Sequence, residues 1–205
     1  MNFKIDGEFK ELMELHVSQG CDNYDLMCES EWAVIKGDFG NPRKVLDLGC
    51  GLGRMSIYIN NTLGDDGVKW ILADSTSDFA QHKSLRFGWN PPAQYYNNLQ
   101  WTEQFSINNG LVNFEIFDIA KSDLGMLEDV DLVMSFLSVG FHYPIERYLE
   151  TLLRITNASC TLIFGVRKGV YKKKMFKKYF SSVSIRPQDG RIYTKEDILI
   201  LKGRK

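Results

Sequence analysis

The stretch Lys44-Val45-Leu46-Asp47-Leu48-Gly49-Cys50-Gly51-Leu52-Gly53 decides how the rest of the chain is read. Its first half is a short, mostly apolar run that meets glycine, and the residues beyond it carry apolar side chains at helical spacing: Met55, Tyr58, Ile59 and Leu63. Strand, turn and helix follow one another. The alternating glycines Gly49, Gly51 and Gly53 remove Cβ atoms where the backbone must turn sharply and approach a ligand closely.

Working outward, Gly64-Asp65-Asp66-Gly67 breaks the helix, and residues 68–73 supply a second buried strand that stops at Asp74. The alternation continues with a helix over 97–108 stopped by Asn109-Gly110, and a third strand over 111–117 ending at Asp118. A fourth strand over 130–136, a helix over 145–155 and a fifth strand over 160–165 come next. A basic amphipathic helix over 168–179 is expected to place Tyr171, Met175 and Tyr179 on one face. Two last strands, 183–186 and 198–202, flank a polar loop with Gly190. Strands regularly separated by helices predict an α/β, doubly wound, Rossmann-like fold: a mostly parallel seven-stranded sheet, helices on both faces, the last strand antiparallel. Phe9, Leu12, Met13, Leu15 and His16, then Tyr24, Met27, Trp32 and Ile35, recur at helical spacing, so residues 1–42 read as an N-terminal helical lid on a domain of residues 43–205. Within that domain Phe87-Gly88-Trp89-Asn90-Pro91-Pro92 fits neither a regular helix nor a central strand, which makes residues 75–96 an insertion.

The 205 residues, 44% apolar and 25% charged with both signs present, are those of one globular domain rather than a disordered or fibrous chain. No run approaches the roughly 18 apolar residues of a membrane helix, and the first residues lack the apolar core of a signal peptide, so a cytoplasmic location is expected. Cys21, Cys28, Cys50 and Cys160 are scattered, without zinc-ligand spacing, and no metal site is expected.

In an open parallel sheet the ligand crevice lies beyond the carboxyl ends of the strands, beside the first strand. A dinucleotide fingerprint fails there, because the sixth position counted from Gly49 is Arg54. A phosphate loop fails because no Gly-Lys-Ser/Thr closes it. Asp47 would repel a pyrophosphate and suits a cofactor with an amino group or positive charge.

The run from Val45 to Gly53 resembles motif I of the class I S-adenosylmethionine-dependent methyltransferases, and the chain from about residue 43 to 202 follows the order of strands and helices in that family. The resemblance implies S-adenosyl-L-methionine as cofactor. It implies that Asp74, 23 residues after Gly51 and next to Ser75, holds both ribose hydroxyls, and that Asp118 accepts from the adenine amino group while Ile119 offers its backbone N–H to the ring. Gly49 and Gly51 would lie under the methionine part, Asp47 and Cys50 would be further cofactor contacts, and Ser135 and Phe136 at the end of the fourth strand would line the sulfonium pocket. Taken singly, Asp74 also reads as a helix cap and Asp118 as a turn former.

Methyl transfer from a sulfonium is an in-line displacement that gains most from alignment and exclusion of water, so the chemistry left to the protein is removal of the acceptor's proton. His142, in Ser138-Val139-Gly140-Phe141-His142-Tyr143-Pro144 after the fourth strand, is the candidate base; a histidine merely hydrogen-bonded in a loop is the alternative. The absence after that strand of the Asn/Asp-Pro-Pro-Tyr of amino methyltransferases, or of an acid for magnesium, favours a hydroxyl acceptor. Tyr24, Arg86, Trp89 and Tyr143 are candidate substrate contacts, rings beside an arginine suiting a sugar face or a phosphorylated metabolite. The stretches Phe141–Pro144 and Tyr96-Asn97-Asn98-Leu99 are also similar to sugar O-methyltransferases.

Charge is unevenly spread. Residues 165–205 hold 13 Lys and Arg against 3 Asp and Glu, and the first 164 hold 12 against 23. A basic face with Lys172-Lys173-Lys174 and Lys177-Lys178, and Tyr171, Phe176 and Tyr179 to stack bases, makes RNA the second candidate partner after a small molecule. A non-catalytic module that keeps the cofactor pocket is a third reading, and no membrane partner is expected.

Overall fold

Side chains alternate along β1 (Lys44–Leu48): Val45 joins one buried apolar cluster, Leu46 and Leu48 join another on the opposite face, and Asp47 points to the side of Val45. The computed structural model of the chain describes residues 3–5, 24–75, 98–188 and 196–205. The other strands are β2 (Lys69–Asp74), β3 (Phe114–Asp118), β4 (Val130–Ser135), β5 (Thr156–Arg167), β6 (Phe180–Pro187) and β7 (Glu196–Arg204). They form one sheet in the order β3-β2-β1-β4-β5-β7-β6, in which β7 runs antiparallel to both β5 and β6. β1 pairs with β2 on one side and β4 on the other, so the chain's course across the sheet reverses there, which is where open α/β sheets carry their ligand crevices.

The helices are α1 (Tyr24–Phe39), α2 (Arg54–Leu63), α3 (Leu99–Asn108) and α4 (Glu146–Ile155). Ile35 and Phe39 of α1, Met55 and Ile57 of α2 and Phe105 of α3 pack with Val45, Trp70, Leu72, Met134, Ile163, Ile198 and Ile200 on one face. Leu149, Leu152 and Ile155 of α4, with Tyr171, Phe176 and Phe180, cover Leu46, Ile71, Val133, Leu162, Phe164 and Leu199 on the other. Each large apolar side chain buried in this way contributes about 1.5–3 kcal/mol. Because strands covered on both faces must be apolar on both, the near-continuous apolar runs in the sequence follow from the layering. Polar ends are satisfied locally: Asn98 caps α3 through the Gln100 N–H at 2.9 Å, and Gly64 ends α2 in the left-handed region at φ 62°.

α1 is built into the sheet. Its Asp38 carboxylate meets Lys202 of β7 at 2.7 Å and also Arg186 of β6, whose guanidinium donates to the Val34 carbonyl at 2.8 Å. No helix among the described residues is long and apolar enough to cross a membrane.

Two expectations need correction. The basic helix over 168–179 is not formed: the segment crosses the sheet face with a single 3-10 turn at Lys173–Met175. Its anchors are Tyr171 and Phe176, both buried, 6.0 Å apart between ring centroids, and separated by five positions rather than a helical three or four. The Tyr171 hydroxyl accepts the Ile145 N–H at 3.0 Å, so tertiary contacts override helical spacing. β5 is also longer than expected at its start, since Thr156 pairs with Val130 before an irregularity in the register. The helix around Phe9–His16, nearly all of the insertion over 75–96, and the loop with Gly190 lie outside the described residues.

Candidate cofactor and acceptor site

The bend after β1 is held by the neighbouring strand. The N–H groups of Gly49 and Cys50 both donate to the Ala73 carbonyl, at 2.7 and 3.2 Å, and the chain can fold back this tightly because Gly49 takes φ 73°. A Cβ on Gly49 would overlap the Ser138 side chain, so the missing side chain also lets the loop after β4 close onto the loop after β1. Gly51, at φ 57°, faces open space within 4 Å of where its Cβ would stand. Its N–H donates to Asp74 Oδ2 at 2.9 Å and its carbonyl accepts from Thr102 Oγ1 of α3 at 2.7 Å.

The three acids share one edge of the sheet. Asp74 and Asp118 are direct partners in the β2–β3 register, and Asp47 lies one position before the end of β1, opposite Leu72. Asp74 also takes the Ser75 N–H on Oδ1 at 2.7 Å. Asp118 Oδ1 accepts the Ala120 N–H at 3.0 Å, and its other oxygen pairs with exposed Lys121 at 3.1 Å. Asp47 is buried, with its Oδ2 accepting from Ser56 at 2.7 Å; loss of hydration pushes its carboxyl up to about 7 even though Ser56 and the Arg54 guanidinium favour the charged form.

Between the tip of β3 and the start of α3 lies a cleft of about 410 Å³, lined by Asn98, Leu99, Gln100, Glu103, Ile116, Asp118 and Lys121. That volume lies in the usual range for small-ligand sites. Gln100 and Glu103 escaped the sequence reading, which attended to strand ends, and Asn98 entered it only within the stretch from Tyr96 to Leu99; the available signal was the capping asparagine that brings the helix start to the sheet edge. The expected role of Ile119 is corrected: its N–H donates to the Asp74 carbonyl at 2.9 Å, completing the β2–β3 ladder, so only its side chain remains to face a ring.

At the tip of β4, Ser135 is fully buried, its hydroxyl donating to the Leu48 carbonyl at 2.6 Å and accepting the Val139 N–H at 2.9 Å. It latches β1 to the loop after β4. Phe136 and Cys50 are buried in the same apolar cluster. The loop itself is wound around the Ser138 carbonyl, which accepts from the N–H groups of Phe141, His142 and Tyr143. His142 is partly buried beside Phe141, and Arg167 of β5 reaches the same turn, its Nε donating to the Phe141 carbonyl at 2.8 Å. Burial first, and the Arg167 charge second, lower the imidazole to about 4, so it is neutral near pH 7. Tyr143 packs against the Leu46 cluster, where burial and nearby Tyr148 and Asp74 raise its hydroxyl above the usual range. Of the remaining substrate candidates, Tyr24 opens α1 but its side chain lies outside the described residues, as do Arg86 and Trp89.

A buried ion pair also escaped the sequence reading. Arg54, the first residue of α2, makes a two-pronged contact with Glu31 of α1 at 2.6 and 2.7 Å, and Glu31 is fully buried. It ties α1 to the helix that leaves the glycine loop.

No family model matches the sequence, and no curated protein matches it. Solved structures do match. The chain is similar to an S-adenosylmethionine-dependent methyltransferase from Aquifex aeolicus, at 15% identity and a TM-score of 0.56 over 93% of this chain and 97% of that one. It is similar to an S-adenosylmethionine-dependent O-methyltransferase from Thermotoga maritima, at 14% identity and 0.55, over 85% of this chain and 64% of that one. It is similar also to a methyltransferase from Geobacter sulfurreducens, at 16% identity and 0.52, over 88% and 75%. The chain has the methyltransferase fold. Identities this low speak to architecture, and within this methyltransferase fold the glycine bend, the paired Asp74 and Asp118 and the cleft beside α3 stand along one sheet edge.

Proposed function

We propose that the chain is an S-adenosylmethionine-dependent methyltransferase that acts on a hydroxyl of a small molecule, with a sugar or a phosphorylated metabolite as the leading acceptor classes. The observation that carries this is the set of three carboxylates around a positive-φ glycine bend, beside a cleft large enough for a nucleoside. The donor set suits the cofactor: vicinal ribose hydroxyls match the two oxygens of Asp74, an amino group on adenine matches Asp118, and a cationic methionine end matches Asp47. Gly49 and Gly51 would lie beneath the methionine part, with Cys50 and Ser75 alongside. When bound, the cofactor supplies a methyl group made electrophilic by its sulfonium.

The chain's own work is positioning and proton removal. Phe136 is an apolar wall at the tip of β4 that would keep water from the reacting centre. His142, neutral near pH 7, would accept the acceptor's hydroxyl proton on an imidazole nitrogen as the carbon–oxygen bond forms. Tyr143 and Tyr24 are retained as acceptor contacts, as are Arg86 and Trp89. Residues 1–42 would serve as the N-terminal helical lid. Solubility in the cytoplasm belongs to the same proposal.

RNA is the weaker acceptor. Lys172, Lys173, Lys174, Lys177 and Lys178 are exposed, but Tyr171 and Phe176, needed to stack bases, are buried in the core. The deciding experiment incubates the protein with methyl-labelled S-adenosylmethionine and fractionated small-molecule and RNA extracts. Label in a polar small-molecule fraction is expected. Label in RNA alone would transfer the proposal to nucleic acid, and cofactor binding without label anywhere would make the chain a binding module.

A further inference from the structure

Glu196 opens β7 with only 2% of its surface exposed, and neither carboxyl oxygen has a hydrogen-bond partner among the described residues. On the hairpin's other arm, Gln188 directly follows the end of β6; it is 8% exposed, and its amide oxygen and nitrogen are equally unpartnered among the described residues. The β6–β7 register pairs Arg186 with Ile198 and Pro187 with Asp197, and carried one step further it sets Gln188 opposite Glu196. Opposed residues of an antiparallel pair share a face, here the face on which Ile198 and Ile200 pack and Arg186 reaches α1.

The pair stands at the same sheet edge as the glycine bend, because β7 is antiparallel and so begins where β4 and β5 end. Gly165 of β5 is bare: a Cβ there would overlap Glu196 Oε1 and stand 3.5 Å from the Leu137 N at the tip of β4. The carboxyl thus occupies the space that an ordinary residue at position 165 would fill. Burial raises its affinity for a proton well above the usual range, and Glu31 adds to that while Arg54 opposes it.

We propose that Gln188 and Glu196 form the acceptor-recognition pair of this enzyme, binding a small molecule that presents at least two neighbouring hydroxyl groups. An amide and a carboxyl offer both donors and acceptors at adjacent points, which a hydroxyl-rich molecule satisfies and an apolar one does not. Buried polar atoms left without partners destabilise a protein, so each calls for an explanation, and completion by a bound acceptor is the one proposed for this pair. The inference rests on the methyltransferase proposal, and it adds the acceptor's chemistry.

The test uses E196L, E196Q and Q188L in the full chain. Binding of S-adenosylhomocysteine is followed by calorimetry, melting temperature is recorded, and label is transferred from S-adenosylmethionine to the polar extract fraction that the wild type labels. E196L and Q188L should bind S-adenosylhomocysteine as the wild type does and melt higher by about 4 °C. Both should need at least tenfold more of the fraction for half-maximal labelling, and E196Q should retain part of the activity because an amide still hydrogen-bonds. Unchanged labelling by both variants, lower melting with lost cofactor binding, or a wild type that labels only RNA would overturn the pair's role. A wild type that gives no heat with S-adenosylhomocysteine and labels no fraction defeats the methyltransferase proposal itself, and this inference with it.

Discussion

The Asp74 carboxylate accepts the Gly51 N–H at 2.9 Å, so the acid at the tip of β2 is clamped to the glycine bend at the tip of β1. The clamp joins the two elements that would hold the two ends of the cofactor, and it orients Asp74 before any ligand arrives. Replacing Asp74 with Ala removes the clamp and, under the proposed function, the ribose contacts. Affinity for S-adenosylmethionine should fall by about 1.5–3 kcal/mol, or roughly 10- to 150-fold, in a calorimetric titration. An unchanged dissociation constant would remove Asp74 from the site.

Gly49 carries two demands, a left-handed backbone and contact with Ser138. Gly49→Ala should lower stability by roughly 2–4 kcal/mol from strain and overlap together. The double variant with Ser138→Gly should recover the overlap share and leave the backbone share. Denaturant melts of the two variants read the difference, and no recovery would mean that the clash is not the main effect.

Breaking the Glu31–Arg54 pair leaves a buried charge without its counterion. Arg54→Met alone should cost about 3–5 kcal/mol, whereas Arg54→Met combined with Glu31→Leu should come back near the wild type. A double-mutant cycle by chemical denaturation measures this, and equal losses in single and double variants would contradict it.

Asp47 makes stability depend on pH. Its carboxyl is raised from an ordinary 3.8 to about 7 in the folded chain, so between those values the native state holds a proton that the unfolded state has released. The contribution is fully present below about pH 4 and is lost as pH rises through 7. It amounts to something on the order of 4 kcal/mol. Asp47→Asn should flatten this limb of the stability profile. A wild-type profile that rises from pH 5 to 8 in step with that of the Asn variant would show that Asp47 is already ionised.

For His142 the sign is opposite. The imidazole is lowered from 6.5 to about 4, so the unfolded chain binds the extra proton, and this contribution, present above 6.5, is lost as pH falls through 4. As a base it would already be deprotonated at pH 6, and the acid limb of methyl transfer should lie near 4. His142→Ala should slow transfer by about 10²- to 10⁴-fold while cofactor affinity holds. Normal turnover in the variant would remove His142 from the mechanism.

Much of the fold could be read from one dimension. The apolar runs around Val45, Trp70, Val133 and Ile163 are strands because both of their faces are covered, and they read as strands for the same reason. That Asp47, Asp74 and Asp118 lie together was legible because a parallel sheet brings its strand tips to one edge. The stretch from Lys168 to Tyr179 misled, since Tyr171, Met175 and Tyr179 mimic a helical stripe while the segment's anchors are Tyr171 and Phe176. Ile119 misled in a smaller way, because an N–H that looks spare along the chain is used by the neighbouring strand.

Local chemistry, then, was enough to establish the alternation of strands and helices, the glycine bend and the order of the acids, since these depend on periodicity and on residues adjacent along the chain. Contacts between distant segments were settled only when the chain closed on itself. Ser138 against Gly49 and Glu31 against Arg54 join residues that share no pattern, and their burial, which sets their energetics, exists only in the folded sheet and its covering helices.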